Sequence, residues 1–210
     1  MIIISHRGFW INDSEKNTTE AFRRSFSLGY GVETDVRDMN GELVISHDPA
    51  NRNCMSLEFF FQLYLQYGAR PTLAINIKSD GLQKELKRQL TKFGIENYFV
   101  FDMAVPDGLL YLRQGMISYT RQSEYEQNPS YYEAANGIWL DEFNGHWLTD
   151  DIIEGHISAG KAVCIVSPEL HKRPYSHEWT HYRNLEKKIG ADRLMLCTDF
   201  PQKATEFFNG

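Results

Sequence analysis

The sequence predicts an α/β protein: a single compact (β/α)8 barrel of the TIM-barrel class, with residues 1–210 as one domain. Three observations lead there. Short apolar runs alternate with amphipathic stretches along the chain. The alternation gives eight strands, each followed by a helical pattern. No glycine-rich phosphate fingerprint follows the first strand, which disfavours the rival doubly wound open sheet. A chain of 210 residues is near the lower limit for a closed barrel, so some helices should be short or irregular.

Strands are expected over residues 2–5, 32–37, 73–78, 98–101, 116–119, 138–141, 162–166 and 194–198. Helices fall between them over 18–28, 57–67, 82–93, 106–113, 124–135, 149–159 and 179–189, and 202–208 closes the chain. The helix over 124–135 has the weakest pattern. Asn17-Thr18-Thr19-Glu20 opens the first helix with Asn17 or Thr18 as cap, and Thr149-Asp150-Asp151 reads as a cap with an acidic first turn. Gly29, Gly68, Gly94, Gly160 and Gly190 sit where helices should end.

A net charge of −6 argues against a nucleic-acid binder that works by broad phosphate neutralisation. It leaves room for a small anionic substrate in a locally basic pocket. No run approaches the roughly 20 apolar residues that span a bilayer. Met1-Ile2-Ile3-Ile4 leads straight into His6 and reads as a strand, not a signal peptide. Cys54, Cys164 and Cys197 form an odd set without metal spacing; Cys164 and Cys197 lie in apolar runs and are expected to be reduced core residues. A cytoplasmic location is the expectation.

The chemistry is concentrated in the first quarter of the chain. His6-Arg7-Gly8 follows the first strand, Glu33-Thr34-Asp35 lies on the second, and His47-Asp48 follows the apolar run Leu43-Val44-Ile45. Strand alternation puts Val32 and Val36 on one face, and Glu33, Asp35 and Arg37 on the other. On the third strand Asn76 and Lys78 share one face. In a barrel the polar faces point inward near the C-terminal mouth. Burying Glu33 beside Asp35 is costly without a cation, and a hard ion such as Mg2+ or Ca2+ removes that cost. Imidazoles move protons near neutrality, and the arginine fork suits a phosphate oxygen. Taken singly, each motif has a plainer reading: a surface strand with its acidic side in water, a structural histidine, a polar turn.

Together, these residues resemble the glycerophosphodiester phosphodiesterase family, in the superfamily of phosphatidylinositol-specific phospholipase C-like barrels. The resemblance runs through His6-Arg7-Gly8, Asn17-Thr18, Glu20-Ala21-Phe22, Gly31 to Arg37, Asn40 to Val44 and His47-Asp48, with Thr198-Asp199-Phe200-Pro201 near the end. It implies a phosphoric diester hydrolase of lipid metabolism. His6 and His47 would be its acid–base pair, Glu33 and Asp35 its ligands for Mg2+ or Ca2+, and Arg7 and Lys78 its phosphate contacts. A substrate hydroxyl would attack phosphorus and form a cyclic phosphate. The implied partner is a small-molecule phosphodiester on a glycerol, polyol or sugar, with no nucleic acid and no stable membrane anchor; the oligomeric state stays open.

The chain departs from the family pattern in three places. Asn76 stands where the family usually has an acidic third ligand; its amide oxygen can still serve, with help from Asp141 or Glu142. Lys16 replaces the acidic residue before Asn-Thr. The insertion common after His-Asp is nearly absent. In the polar loop after the seventh strand, His171 and Arg173 are candidate substrate contacts, and an ordinary solvated loop is the plainer reading. Alternatives are a catalytically weakened phosphate-binding barrel, favoured by Asn76, and a metal-independent phospholipase C-like enzyme in which a basic residue does the cation's work. His177-Glu178-Trp179-Thr180-His181 also matches the zinc-protease pattern, with both histidines on one helical face, though a barrel would put that helix on its outside.

Overall fold

The computed structural model describes residues 1–190 and 193–210. The strand–helix alternation expected from the sequence is present. The chain forms two compact units: Ser5–Ser118, and Met1–Ile4 together with Tyr119–Gly210. Strand β1 (Ile2–His6) contributes its first residues to the latter and its last two to the former.

In the unit Ser5–Ser118, β2 (Gly31–Met39) is the central strand. It pairs antiparallel with β3 (Glu42–Ile45), which carries the two-residue β4 (Met55–Ser56). On its other side it pairs parallel with β5 (Leu73–Ile77), and β5 with β6 (Tyr98–Phe101). Helix α1 (Thr19–Ser27) is capped by Thr18, whose hydroxyl accepts from Ala21 N at 3.4 Å. Position 21 is alanine, so the reciprocal half of a capping box is missing. Helix α2 (Leu57–Leu65) is capped by Ser56. It ends at Leu65, ahead of the Gly68 stop expected from the sequence. Helix α3 (Gln83–Phe93) stops at Gly94, whose φ of 60° is the left-handed conformation glycine tolerates. Helix α4 (Val105–Arg113) follows with Pro106 in its first turn.

The inner faces of these helices build one core. Phe22 and Phe26 of α1 meet Phe60 and Tyr64 of α2, with Phe22 and Phe60 edge-to-face at 4.7 Å. Val32 and Val36 belong to this cluster. The expected alternation of β2 therefore holds, because the valines gain by leaving water under the helices. Burial of such a phenylalanine stabilises by about 2–3 kcal/mol, and Phe60→Ala would cost about 3–5 kcal/mol.

In the other unit, β7 (Tyr119–Gln122), β8 (Gly137–Leu140), β9 (Ala162–Val166) and β10 (Leu194–Thr198) run parallel in that order, with β1 next to β10. Helix α5 (Asp150–Ser158) is capped by Thr149, as expected. Helix α6 (Ser176–Ile189) starts three residues before the expected position. It buries Trp179, whose Nε1 donates to Ser167 Oγ at 2.8 Å, against Phe207 and Phe208 of α7 (Pro201–Asn209). Cys164 and Cys197 are buried thiols.

Two sequence expectations fail here. The fifth strand lies at Tyr119–Gln122, not 116–119. Met116 instead packs into the core of the other unit, and the polar Thr120-Arg121-Gln122 become strand through parallel pairing with β8. The helix over 124–135 does not form. Pro129 interrupts it, Ser123 Oγ accepts from Tyr125 N and Glu126 N in a turn, and only a short 3-10 turn at Tyr132–Ala134 remains. Among the described residues no helix is long and apolar enough to cross a membrane.

Candidate active site

The unit Ser5–Ser118 gathers most of the expected site residues around Asp35. Parallel register sets Asp35 beside Asn76 across β2 and β5. Just past the end of β1, Arg7 N donates to Glu33 O at 2.9 Å, and also lies 3.2 Å from Glu33 Oε2. Just past β5, Lys78 N donates to Val36 O at 2.9 Å. Three neighbouring strands thus present His6, Arg7, Glu33, Asp35, Asn76 and Lys78 within one region.

Asp35 is fully buried and Glu33 is 2% exposed. Asp35 Oδ2 lies 3.1 Å from Arg7 Nε and accepts from Asn17 Nδ2 at 2.8 Å. Asp35 Oδ1 lies 3.3 Å from Lys78 Nζ, outside hydrogen-bond geometry. Two cationic side chains therefore flank the Asp35 carboxylate. Glu33 has weaker support, with His6 Nε2 at 3.9 Å from Oε2. Burial first, and the neighbouring Asp35 second, push the Glu33 carboxyl up to about 7.

Asn76 Nδ2 donates to Asp102 Oδ2 at 3.2 Å, which turns Asn76 Oδ1 away as an acceptor. That oxygen is buried without a hydrogen-bond partner, as is Asp35 Oδ1. An unmet buried acceptor is costly. Two such oxygens in register, next to a buried carboxylate, form an oxygen-only donor set of the kind hard cations take. The residues therefore fit Mg2+ or Ca2+, although among the described residues no three acidic, histidine or cysteine side chains converge as a ligand group.

Arg7 also lines a cleft of about 850 Å3 with Lys16, Asn17, Thr18, His47, Asp48, Asn51 and Asn53. His47 is half exposed there, with Nδ1 2.9 Å from Asp48 Oδ1. Lys16, where the family pattern is acidic, adds positive charge to this wall and pairs with Asp13 at 3.0 Å. The cleft can hold an anionic group between a guanidinium, an ammonium and an imidazole.

The remaining sequence candidates lie in the other unit and are engaged there. Glu142 accepts from Trp147 N, Leu148 N and Tyr182 Oη, and pairs with His146. Asp141 Oδ1 pairs with His171 Nε2 at 2.5 Å. Arg173 donates to Glu142 O at 2.7 Å and to Glu178 Oε1 at 3.0 Å.

No protein-family model matches the chain, and no curated protein matches it. Solved structures do. A glycerophosphodiester phosphodiesterase from Agrobacterium tumefaciens superposes over 98% of this chain and 97% of its own, with a TM-score of 0.66 and 14% identity. A glycerophosphoryl diester phosphodiesterase from Parabacteroides distasonis gives 0.69 and 14% over 99% of this chain and 86% of its own. The chain has the fold of these phosphodiesterases. A Ca2+-dependent phosphatidylinositol-specific phospholipase C from Streptomyces antibioticus also matches, with a TM-score of 0.60 and 7% identity over 98% and 95% of the two chains.

Within this phosphodiesterase fold, sequence reading missed two positioning residues. Asn17, read as a cap and as part of the resemblance but given no role in the site, sits at φ 59°, donates to Asp35 and accepts from Thr34 Oγ1 at 2.8 Å. Arg37 donates through Nη2 to His47 O and Lys78 O, both at 3.3 Å, and so ties the two segments that carry those residues. The one available signal for Arg37 was its place on the Glu33 and Asp35 face. Nothing in the sequence pointed to Asn17 reaching Asp35.

Proposed function

We propose that the chain is a phosphoric diester hydrolase that cleaves a glycerol-, polyol- or sugar-phosphodiester with a divalent hard cation. The observation that carries this reading is the convergence on Asp35: Glu33 and Asn76 beside it, Arg7 and Lys78 paired with it. Glu33, Asp35 and Asn76 would hold Mg2+ or Ca2+. When bound, the ion polarises a phosphoryl oxygen and neutralises charge developing in the transition state. The Ca2+ dependence named for the phospholipase C neighbour is in keeping with this.

Arg7 and Lys78 bind and orient the phosphate, Arg7 as a planar fork and Lys78 as a point charge. One imidazole of the His6/His47 pair takes the proton of a substrate hydroxyl as its oxygen bonds to phosphorus. The other gives a proton to the leaving alcohol oxygen as its bond to phosphorus breaks. The product of this step is a cyclic phosphate. The histidines then exchange roles: one takes a proton from water, whose oxygen bonds to phosphorus, and the other protonates the ring oxygen released. An attacking hydroxyl within the substrate gains from high effective molarity.

A phosphodiester panel followed by phosphorus NMR, with Mg2+, Ca2+ or excess chelator, tests the reading. Turnover should need the ion and fall about 100- to 10,000-fold in each of His6→Ala and His47→Ala. Full activity in chelator would make Lys78 and Arg7 the substitutes for the cation and overturn the metal assignment. Ligand binding with no turnover under any condition would identify a phosphate-binding barrel instead.

A further inference from the structure

The zinc-protease pattern noted in the sequence lies within α6, far along the chain from the residues used above. Its glutamate, Glu178, is buried and bonded to Arg173 Nη2 at 3.0 Å, so it cannot act as a base on a bound water. Its two histidines have a different setting. The loop after β8 brings a third, His146, up to them.

His146 Nδ1 lies 2.8 Å from Glu142 Oε1. Glu142 is buried and receives two backbone N–H groups and the Tyr182 hydroxyl. Such a carboxylate is an acceptor, so His146 carries its proton on Nδ1 and leaves Nε2 free. His181 Nε2 lies 2.6 Å from Asp150 Oδ1. Asp150 pairs through its other oxygen with Lys188 Nζ at 2.5 Å, and so also accepts. His181 is thereby protonated on Nε2 and leaves Nδ1 free. The two free nitrogens face each other at 3.1 Å.

Two lone pairs at that distance repel unless a cation sits between them. A carboxylate behind each imidazole, fixing its tautomer and raising its basicity, is the outer shell that metal-binding histidines use. Two nitrogens each about 2.0–2.1 Å from one ion in tetrahedral geometry stand roughly 3.3 Å apart, close to the separation found. His177 is one turn before His181 on the same helical face, exposed, with its ring 6.0 Å from that of His146.

We propose that His146 and His181, joined by His177, form a binding site for a zinc-class transition-metal ion that fastens the loop after β8 to α6. Among the described residues no three ligands already converge; His177 turns in when the ion binds, and water takes the remaining position. Imidazole-only donors select this class over the hard cations proposed for Glu33 and Asp35. The ion here has a structural role, raising stability by mass action.

The test titrates the chelator-stripped full chain with Zn2+ alone by calorimetry and with Co2+ by visible absorption, and follows the thermal midpoint. Expected are about one equivalent of Zn2+ that raises the midpoint, a Co2+ band of tetrahedral type, and loss of both in His146→Gln and His181→Gln. The exposed His177→Ala, with circular dichroism to confirm folding, should bind about tenfold more weakly, as should Asp150→Asn. Glu33→Gln should bind Zn2+ unchanged, which separates this site from the hard-cation site. No Zn2+ heat and no Co2+ band, or binding unaltered in the folded histidine variants, would mean that only a proton bridges the two rings and would overturn the proposal.

Discussion

Asp35 and Asn76 are register partners on adjacent parallel strands, and an oxygen of each is buried without a hydrogen bond. One carries charge and the other does not. Affinity for a hard cation rises with the charge of its oxygen ligands. Asn76→Asp should therefore bind Mg2+ or Ca2+ about tenfold more tightly by calorimetry, and should be less stable than the parent in chelator, where a third buried carboxylate repels Glu33 and Asp35. Unchanged affinity would remove Asn76 from the ligand set.

Glu33 sets a pH dependence whose sign is fixed by its elevated pKa, about 7 against an ordinary 4.5. The folded state holds a proton there that the unfolded state has already lost. Its stabilising contribution is complete below about pH 4.5 and disappears as pH rises to about 7, on the order of 3 kcal/mol. Urea midpoints of the metal-free chain should fall across that window, and Glu33→Gln should flatten the fall. Metal affinity should rise over the same window, because the ion needs the carboxylate. A flat profile in the parent would show that Glu33 stays ionised.

Asn17 joins Thr34 to Asp35 through one amide. Asn17→Ala leaves two buried polar groups short of a partner and puts alanine at φ 59°, at a cost of about 2–3 kcal/mol in chemical denaturation. Asn17→Gly relieves the backbone and should cost about 1–2 kcal/mol. The difference isolates the strain; equal losses would mean that the amide contributes everything.

Gly8 holds Arg7 close to α1. A Cβ there would meet Ala21 Cβ at 2.8 Å and the Ala21 carbonyl carbon at 2.9 Å, and φ is 84°. Gly8→Ala should lose about 2–4 kcal/mol, since backbone cannot step aside as a flexible side chain can. Because the shift displaces Arg7, KM for a phosphodiester should rise as well. Wild-type thermal midpoint and KM together would show the turn to be slack.

Much of this was legible in the sequence because it is local. Alternation along residues 32–37 determined that Val32 and Val36 go under the helices while Glu33 and Asp35 share the other face, and each apolar run marked a strand to within a few residues. Pro129 inside a weak pattern was the visible sign that 124–135 would not become a helix. Tertiary structure alone decided which groups meet. Parallel register put Asn76 next to Asp35; folding brought Asn17 and Lys78 to the same carboxylate; and a loop 35 positions away set His146 against His181. Hydrophobic periodicity is set by neighbours along the chain, whereas the partner of a buried charge is set by strand pairing and loop closure across it.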